Sequence, residues 1–199
     1  MLTWVRDAGV AIRQNQRTLH FVLTGSELRP SRRATNVLNS AAMPVTDADF
    51  KLAMSHFASG VTIVTTAHEG KSFGMTVASF ASLSLHPPLV LVCVEKSVKT
   101  HDAITSSGRF GVSILGADQA EISNRFASRI DDKFAGVDLV SGELGVPMIA
   151  NALTALECYL HAQLSGGDHT IFVGDVAAIR TREGAPLLYF RSGYREMRD

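Results

Sequence analysis

Residues 74–85 read GMTVASFASLSL. Small and hydroxyl side chains stand at Thr76, Ala78, Ser79, Ala81, Ser82 and Ser84, and large apolar groups are sparse among them. A strand that only fills a core carries Val, Ile and Phe on its buried face. This one leaves room and lines it with hydrogen-bonding groups. VTIVTTAH (61–68) before it reads as a strand and EGKS (69–72) as a turn, so FGMTVASFASLSL (73–85) forms a second strand. HPP (86–88) breaks that strand, because proline cannot donate to a ladder. LVLVCVE (89–95) then reads as a fully buried strand.

Further out the pattern continues. Thr46 is a good N-cap with Asp49 three residues on, which predicts a helix from Asp47 to Phe57. Phe50, Ala53, Met54 and Phe57 give it one apolar stripe. SVKTHDAITSSG (97–108) predicts a short helix with Ser97 as N-cap and Gly108 past its end. RFGVSILG (109–116) is a strand, ADQAEISNRFAS (117–128) a helix, and RIDDKFAGVDLVSGELGVP (129–147) loop-like. Residues 152–183 form a long hairpin with SGGDH at its tip, and PLLYFRSGYR (186–195) a last strand. Strands joined by turns or single short helices predict a mainly β, antiparallel barrel with a few packed helices.

The chain has 199 residues, 46% apolar and 19% charged, a balance that suits one globular domain. Its formal net charge is zero, which argues for no nucleic-acid and no membrane surface. The total hides a split. Residues 1–42 carry six Arg against Asp7 and Glu27, net +4, so the remainder is net −4. An Arg-rich targeting peptide and a plain upstream extension both fit that segment. MPVTDADF at Met43 leads straight into a capped helix, which favours a poorly ordered extension over 1–42 and a domain over 43–199. Cys93 and Cys158 sit in apolar strands without a CxxC spacing and read as buried, reduced thiols of a cytoplasmic protein.

Familiar chemistry is missing. There is no GxGxxG after a strand, no P-loop, no HExxH and no GxSxG elbow. What remains is distributed. EKSVKT (95–100) offers a helix start with two hydroxyls and a lysine, the elements of an anion site, though a plain capped helix reads the same. RFASRIDDKF (125–134) brings cations and two Phe, or is a solvated loop. His169 lies at a hairpin tip, where a surface turn histidine is the ordinary case. Tyr194 and Arg195 in SGYR also read as a strand end.

Taken together, FASGVTIVTT, GMTVASFASLSLHPPLVLVCVEKSVKT, GRFGVSIL, RFASRIDDKFAGV, ALECYLHAQLSGGDHTIFVGDV and PLLYFRSGYR resemble the short-chain flavin reductases of the split-barrel, FMN-binding type. These are the reductase components of two-component flavin-dependent monooxygenases. The resemblance covers about residues 46–196. It implies an NAD(P)H-dependent flavin reductase that passes hydride from NADH or NADPH to FMN or FAD, works as a homodimer and serves an oxygenase component. It implies flavin contacts at Thr76, Val77, Ala78 and Ser79, where the family often has Ser in place of Ala78. It implies a phosphate site at Ser97 and Thr100, flavin contacts at Ala127, Lys133 and Phe134, and a nicotinamide-side histidine at His169. Tyr194 and Arg195 fall near the same mouth. A flavin-binding module of the same fold without turnover is the alternative, and a split-barrel oxidase of a phosphorylated vitamin lacks its second basic cluster.

Overall fold

The structure is a computed structural model and describes residues 44–197. The extension expected over residues 1–42 lies outside the described residues. In chain order the elements are α1 (Asp47–Ser55), β1 (Ser59–Gly60), β2 (Thr62–His68), β3 (Lys71–Val77), β4 (Phe80–Ser84), β5 (Leu89–Glu95) and α2 (Lys99–Ser107). Then come β6 (Arg109–Ile114), a 3₁₀ turn (Ala117–Gln119), α3 (Ala120–Ala127), β7 (Leu139–Ser141) and β8 (Pro147–Ile149). The chain closes with β9 (Thr154–Gly166), β10 (His169–Thr181), β11 (Leu188–Phe190) and β12 (Gly193–Arg195).

Seven strands form one antiparallel sheet in the order β3-β2-β6-β9-β10-β5-β4. Its two edge strands, β3 and β4, are neighbours in the chain, separated only by Ala78 and Ser79. A sheet whose opposite edges are joined that closely must curl round on itself, and the result is an antiparallel split barrel. The predicted single strand over 73–85 is therefore two strands, which pair with β2 and with β5 respectively. Ser79 ties the corner, its carbonyl accepting from Cys93 N (3.1 Å) and its hydroxyl donating to Cys93 O (3.0 Å).

The barrel interior holds Val64, Val77, Val92, Val94, Phe110, Val112, Cys158 and Phe172, with Ile104 of α2 inserted among them. A second cluster under α3 gathers Ile63, Leu115, Phe126, Ile149 and Leu187. Because β2 lies between the two, Thr62 to Thr66 are buried on both faces. β5 is not buried on both faces as predicted: Val90, Val92 and Val94 point inward, while Leu91 and Cys93 are half-buried on the outer face. The loop-like region contains the hairpin β7–β8, and its connecting turn closes over Glu157, whose buried carboxylate accepts from Glu143 N (2.8 Å) and Leu144 N (2.7 Å). PLLYFRSGYR also departs from one strand. It folds as the hairpin β11–β12 on β1, turning through Arg191 and Ser192 at φ 48° and 58°.

α1 keeps its predicted cap, with Asp49 N donating to Thr46 Oγ1 at 3.1 Å. Its apolar stripe, however, faces outward among the described residues: Phe50 is 58% and Phe57 78% exposed. The helix is held at its C-terminal end, where Arg191 N donates to Ser55 O (2.9 Å) and His56 meets Phe190 edge-on.

Gly174 tests the tightness of the barrel. It sits at a register irregularity of β10, and a Cβ there would lie 2.5 Å from Phe110 Cζ and 2.7 Å from Cys158 Cβ. Gly174→Ala is expected to cost about 1–3 kcal/mol by overpacking. The urea midpoint falls at unchanged slope; an unchanged midpoint would show that the two side chains have room to move.

Candidate functional site

A cleft of about 750 Å³ opens where β3, the end of β5, the start of α2 and the turn after α3 converge. Its β3 wall is made thin by Gly74. A Cβ at Gly74 would lie 2.8 Å from Phe126 Cε1 and 3.0 Å from Phe134 Cζ, so the two rings press directly on the strand backbone. Phe126 and Phe134 pack edge to face at 5.0 Å. Thr76, next along this wall, donates its hydroxyl to Ser123 O of α3 (2.6 Å).

The second wall is the entry to α2. The N-cap is Val98 in extended conformation, and no side chain caps the helix. Ser97 is thus one residue outside the predicted cap, and its hydroxyl donates to Glu95 Oε1 instead. Glu95, Ser97, Val98 and Lys99 line the cleft at this turn, and Thr100 is buried behind them. An uncapped helix start presents its first backbone N–H groups to an anion.

The third wall is residues 126–134. Arg125 Nε donates to Lys133 O (2.8 Å) and Arg125 Nη2 to Asp132 O (3.1 Å). Asp132 Oδ1 accepts from Phe134 N (3.1 Å) and Ala135 N (3.0 Å). This wiring holds the turn and points Lys133 inward, where its ammonium donates to Phe126 O at 2.8 Å. Burial lowers the Lys133 pKa from its usual value. A smaller depression of about 420 Å³ on the other side of α3 carries Asp118, Glu121 and Asp138, an acidic lining that suits an anion poorly.

The β9–β10 hairpin tip stands beside the cleft, because His169 pairs with Glu95 across the β10–β5 ladder. Lys96 fastens the tip: its N–H donates to Asp168 O (2.9 Å), and its ammonium to Gly167 O (2.6 Å) and Ser165 Oγ (3.1 Å). His169 Nδ1 lies 2.8 Å from Asp168 Oδ1, and this contact holds the Asp168 carboxyl below the usual carboxylate range. Cys158, by contrast, is pushed up to about 12 by burial and by the charges of Asp175 and Glu157, so it is an inert core thiol.

A family model described as the flavin reductase like domain matches residues 54–198. The chain belongs to this flavin reductase family. It is 42% identical over 151 residues to the reductase component of 4-nitrophenol 4-monooxygenase/4-nitrocatechol 2-monooxygenase from Rhodococcus opacus, covering 76% of this chain and 81% of that one. It is 41% identical over 149 residues to the reductase component of 4-hydroxyphenylacetate 3-monooxygenase from Thermus thermophilus, covering 74% and 95%. Among solved structures, the NADH:FAD oxidoreductase of Streptomyces globisporus in complex with NAD and FAD fragments superposes with a TM-score of 0.72 at 39% identity, covering 76% and 92%. The protein is thus an oxidoreductase of the flavin reductase type.

The cleft of this flavin reductase suits its cofactor on three counts. It is large enough for a mononucleotide flavin, its glycine-thinned wall exposes strand backbone, and the uncapped start of α2 offers donors to a phosphate. Of the residues singled out from sequence, Thr76, Ser97, Thr100, Ala127, Lys133 and Phe134 all line it. Val77 turns into the barrel core, and Ala78 and Ser79 form the exposed corner beyond the cleft. His169 stands one strand away, behind Glu95. Tyr194 does not line the cleft but braces it from behind α3, its hydroxyl donating to Asn124 Oδ1 (2.9 Å) and sharing a hydrogen bond with Ser123 Oγ (2.8 Å). Arg195 is exposed and bonds its neighbour Tyr194 O (2.7 Å). Sequence reasoning missed Gly74, Phe126 and Glu95 as lining residues. The glycine inside a strand was the available signal for close approach.

Proposed function

We propose that the cleft holds flavin with its phosphate at the start of α2 and its ring along β3, and that reduced flavin leaves for a separate oxygenase component. The observation that carries this is the uncapped α2 N-terminus, with Ser97 and Thr100, opening on the same cleft as the Gly74 wall. Flavin, when bound, supplies the hydride acceptor. The protein's part is position. The amides and hydroxyls at 97–100 anchor the anionic end. The β3 backbone up to Thr76 follows the polar edge of the ring, Val77, Ala78 and Ser79 carry that wall on past the cleft to the barrel corner, and Ala127, Lys133 and Phe134 close the opposite side. Tyr194 positions α3 through Ser123 and Asn124, with Arg195 at the rim. His169, on the tip fastened by Lys96, orients the nicotinamide nucleotide from NADH or NADPH. No side chain would have to act as acid or base, because the bound nucleotides would supply the hydride donor and acceptor between them. The oxygenase partner is supported by the names of the Rhodococcus opacus and Thermus thermophilus relatives, both reductase components of monooxygenases. A cytoplasmic setting suits the thiols of Cys93 and Cys158, which form no disulfide.

A homodimer accounts for the outward apolar groups. Phe50 and Met54 of α1 and Phe57 just past its end, with Leu83, Tyr159, Leu164 and Ile179 of the sheet, are exposed in the single chain. α1 has no buried residue and is too short to be stable without a body against its stripe. A second copy related by a two-fold axis supplies one.

Three measurements test this reading. Ser97→Ala with Thr100→Ala is expected to weaken FMN and FAD by roughly tenfold or more while riboflavin changes little, since a hydrogen bond to a charged group contributes about 1.5–3 kcal/mol. Equal losses for FMN and riboflavin would reduce 97–100 to a plain helix start. His169→Ala is expected to raise KM for NADH and lower kcat/KM, with flavin affinity unchanged; collapse of flavin binding instead would move His169 to the flavin side. Sedimentation at micromolar concentration should give a dimer, and a fully active monomer would remove the two-fold partner from the account.

A further inference from the structure

One group at the proposed phosphate end works against an anion. Glu95 ends β5 with its side chain exposed on the cleft, and its carboxylate accepts the Ser97 hydroxyl. Its backbone carbonyl accepts from Val98 N (3.4 Å), so the carboxylate is carried on the same turn that leads into α2. The other charges of the cleft are Lys99, Arg129 and Lys133 against Asp131 and Asp132. Asp132 is engaged by two backbone amides, and Lys133 by the carbonyl of Phe126. Among the described residues, Glu95 is the carboxylate in direct contact with a phosphate-end donor.

We propose that Glu95 sets the flavin affinity: its carboxylate competes for the Ser97 hydroxyl and repels the flavin phosphate, so that phosphorylated flavin binds weakly and departs readily. This rests on the reading that the phosphate sits at Ser97 and Thr100. Two acceptors then share one hydroxyl, and both are anionic. Each bound phosphate must take Ser97 away from Glu95 and remain beside a like charge, near a helix start that favours it. Weak binding is what a flavin that serves a separate oxygenase requires. The residue makes flavin a travelling substrate without disturbing the wall that orients the ring. His169, paired with Glu95 across the ladder, lies beyond it, so the nicotinamide side keeps its own geometry.

Glu95→Gln is the test, because it keeps the shape and an acceptor oxygen, removes the charge and adds a donor. Binding of FMN, FAD and riboflavin is measured by titration at low and high salt, and FMN release by stopped flow. The variant is expected to bind FMN and FAD about five- to tenfold more tightly, the scale of one exposed, solvent-screened charge pair. Riboflavin affinity stays unchanged, FMN release slows by a similar factor, and the gain shrinks as salt rises. Glu95→Asp, which keeps the charge, shows no such gain. Unchanged FMN affinity in Glu95→Gln, or an equal gain for riboflavin, would overturn the proposal. The Ser97→Ala, Thr100→Ala double variant separates the two possible failures. If it still weakens FMN selectively, the phosphate placement stands and only the role of Glu95 falls. If it weakens riboflavin equally, the placement itself falls and takes this proposal with it.

Discussion

Two residues, Ala78 and Ser79, carry the chain from one edge of a seven-stranded sheet to the other. That short span is the constraint from which the site follows. It forces the sheet to close, and it carries the antiparallel register of β4 on β5 toward β3. Thr76 and Glu95, on strands that are not ladder partners, come to line the same cleft. Closure also brings the start of α2 against β3, since α2 follows β5 after three residues. The corner has to be small to make this turn, and its hydroxyl has a use there, because Ser79 bonds Cys93 through both side chain and backbone. Hence the small, polar composition of 74–85 has two causes. At 74–76 it clears space for a ligand and for the Phe126–Phe134 pair. At 78–79 it closes the barrel.

Those two causes explain why the sequence could be read for the fold and only partly for its joints. Thr46 with Asp49 is a local cap and forms as read. The long hairpin turning at Gly167 and Asp168 is local too. A strand that changes partners at Ala78 bends there without a glycine, proline or asparagine, so no turn residue marks the break. Nor is the hairpin at Arg191 and Ser192 marked, because its left-handed positions hold neither glycine nor asparagine. The apolar run of β5 hid an alternation, since its outer face is also apolar in Leu89, Leu91 and Cys93. The α1 stripe was legible as a stripe, but amphipathicity says that a face is apolar, not what covers it.

The site shows the same division. Thr76, Ser97, Thr100, Ala127, Lys133 and Phe134 are scattered over nearly sixty positions and meet in one cleft. Family resemblance found them, and composition alone could not, because each fragment has an ordinary reading. Tyr194 shows how a residue near a site in sequence pattern can act at one remove, since its hydroxyl reaches α3 and not the cleft. Glu95 escaped notice for a physical reason. A charged residue at a strand end is what solvent exposure predicts, and only the fold reveals that this end opens on a cavity.

On the proposed placement of flavin, orientation and affinity are handled by different parts of the cleft. The ring side is stiff. Gly74 lets Phe126 and Phe134 bear on backbone, Arg125 and Asp132 fix the turn, and Lys133 is held by a carbonyl. A stiff wall orients a planar ligand without ordering new side chains on each cycle, so little entropy is lost on binding and none has to be recovered on release. The phosphate side is different. An uncapped helix start attracts an anion, and a carboxylate on the preceding turn opposes it. With the phosphate placed there as proposed, the two terms oppose each other and reduce the net affinity while each continues to act on direction. A reductase whose product must reach another protein needs that combination: a ring held in one pose while bound, and a total binding energy small enough to let it go.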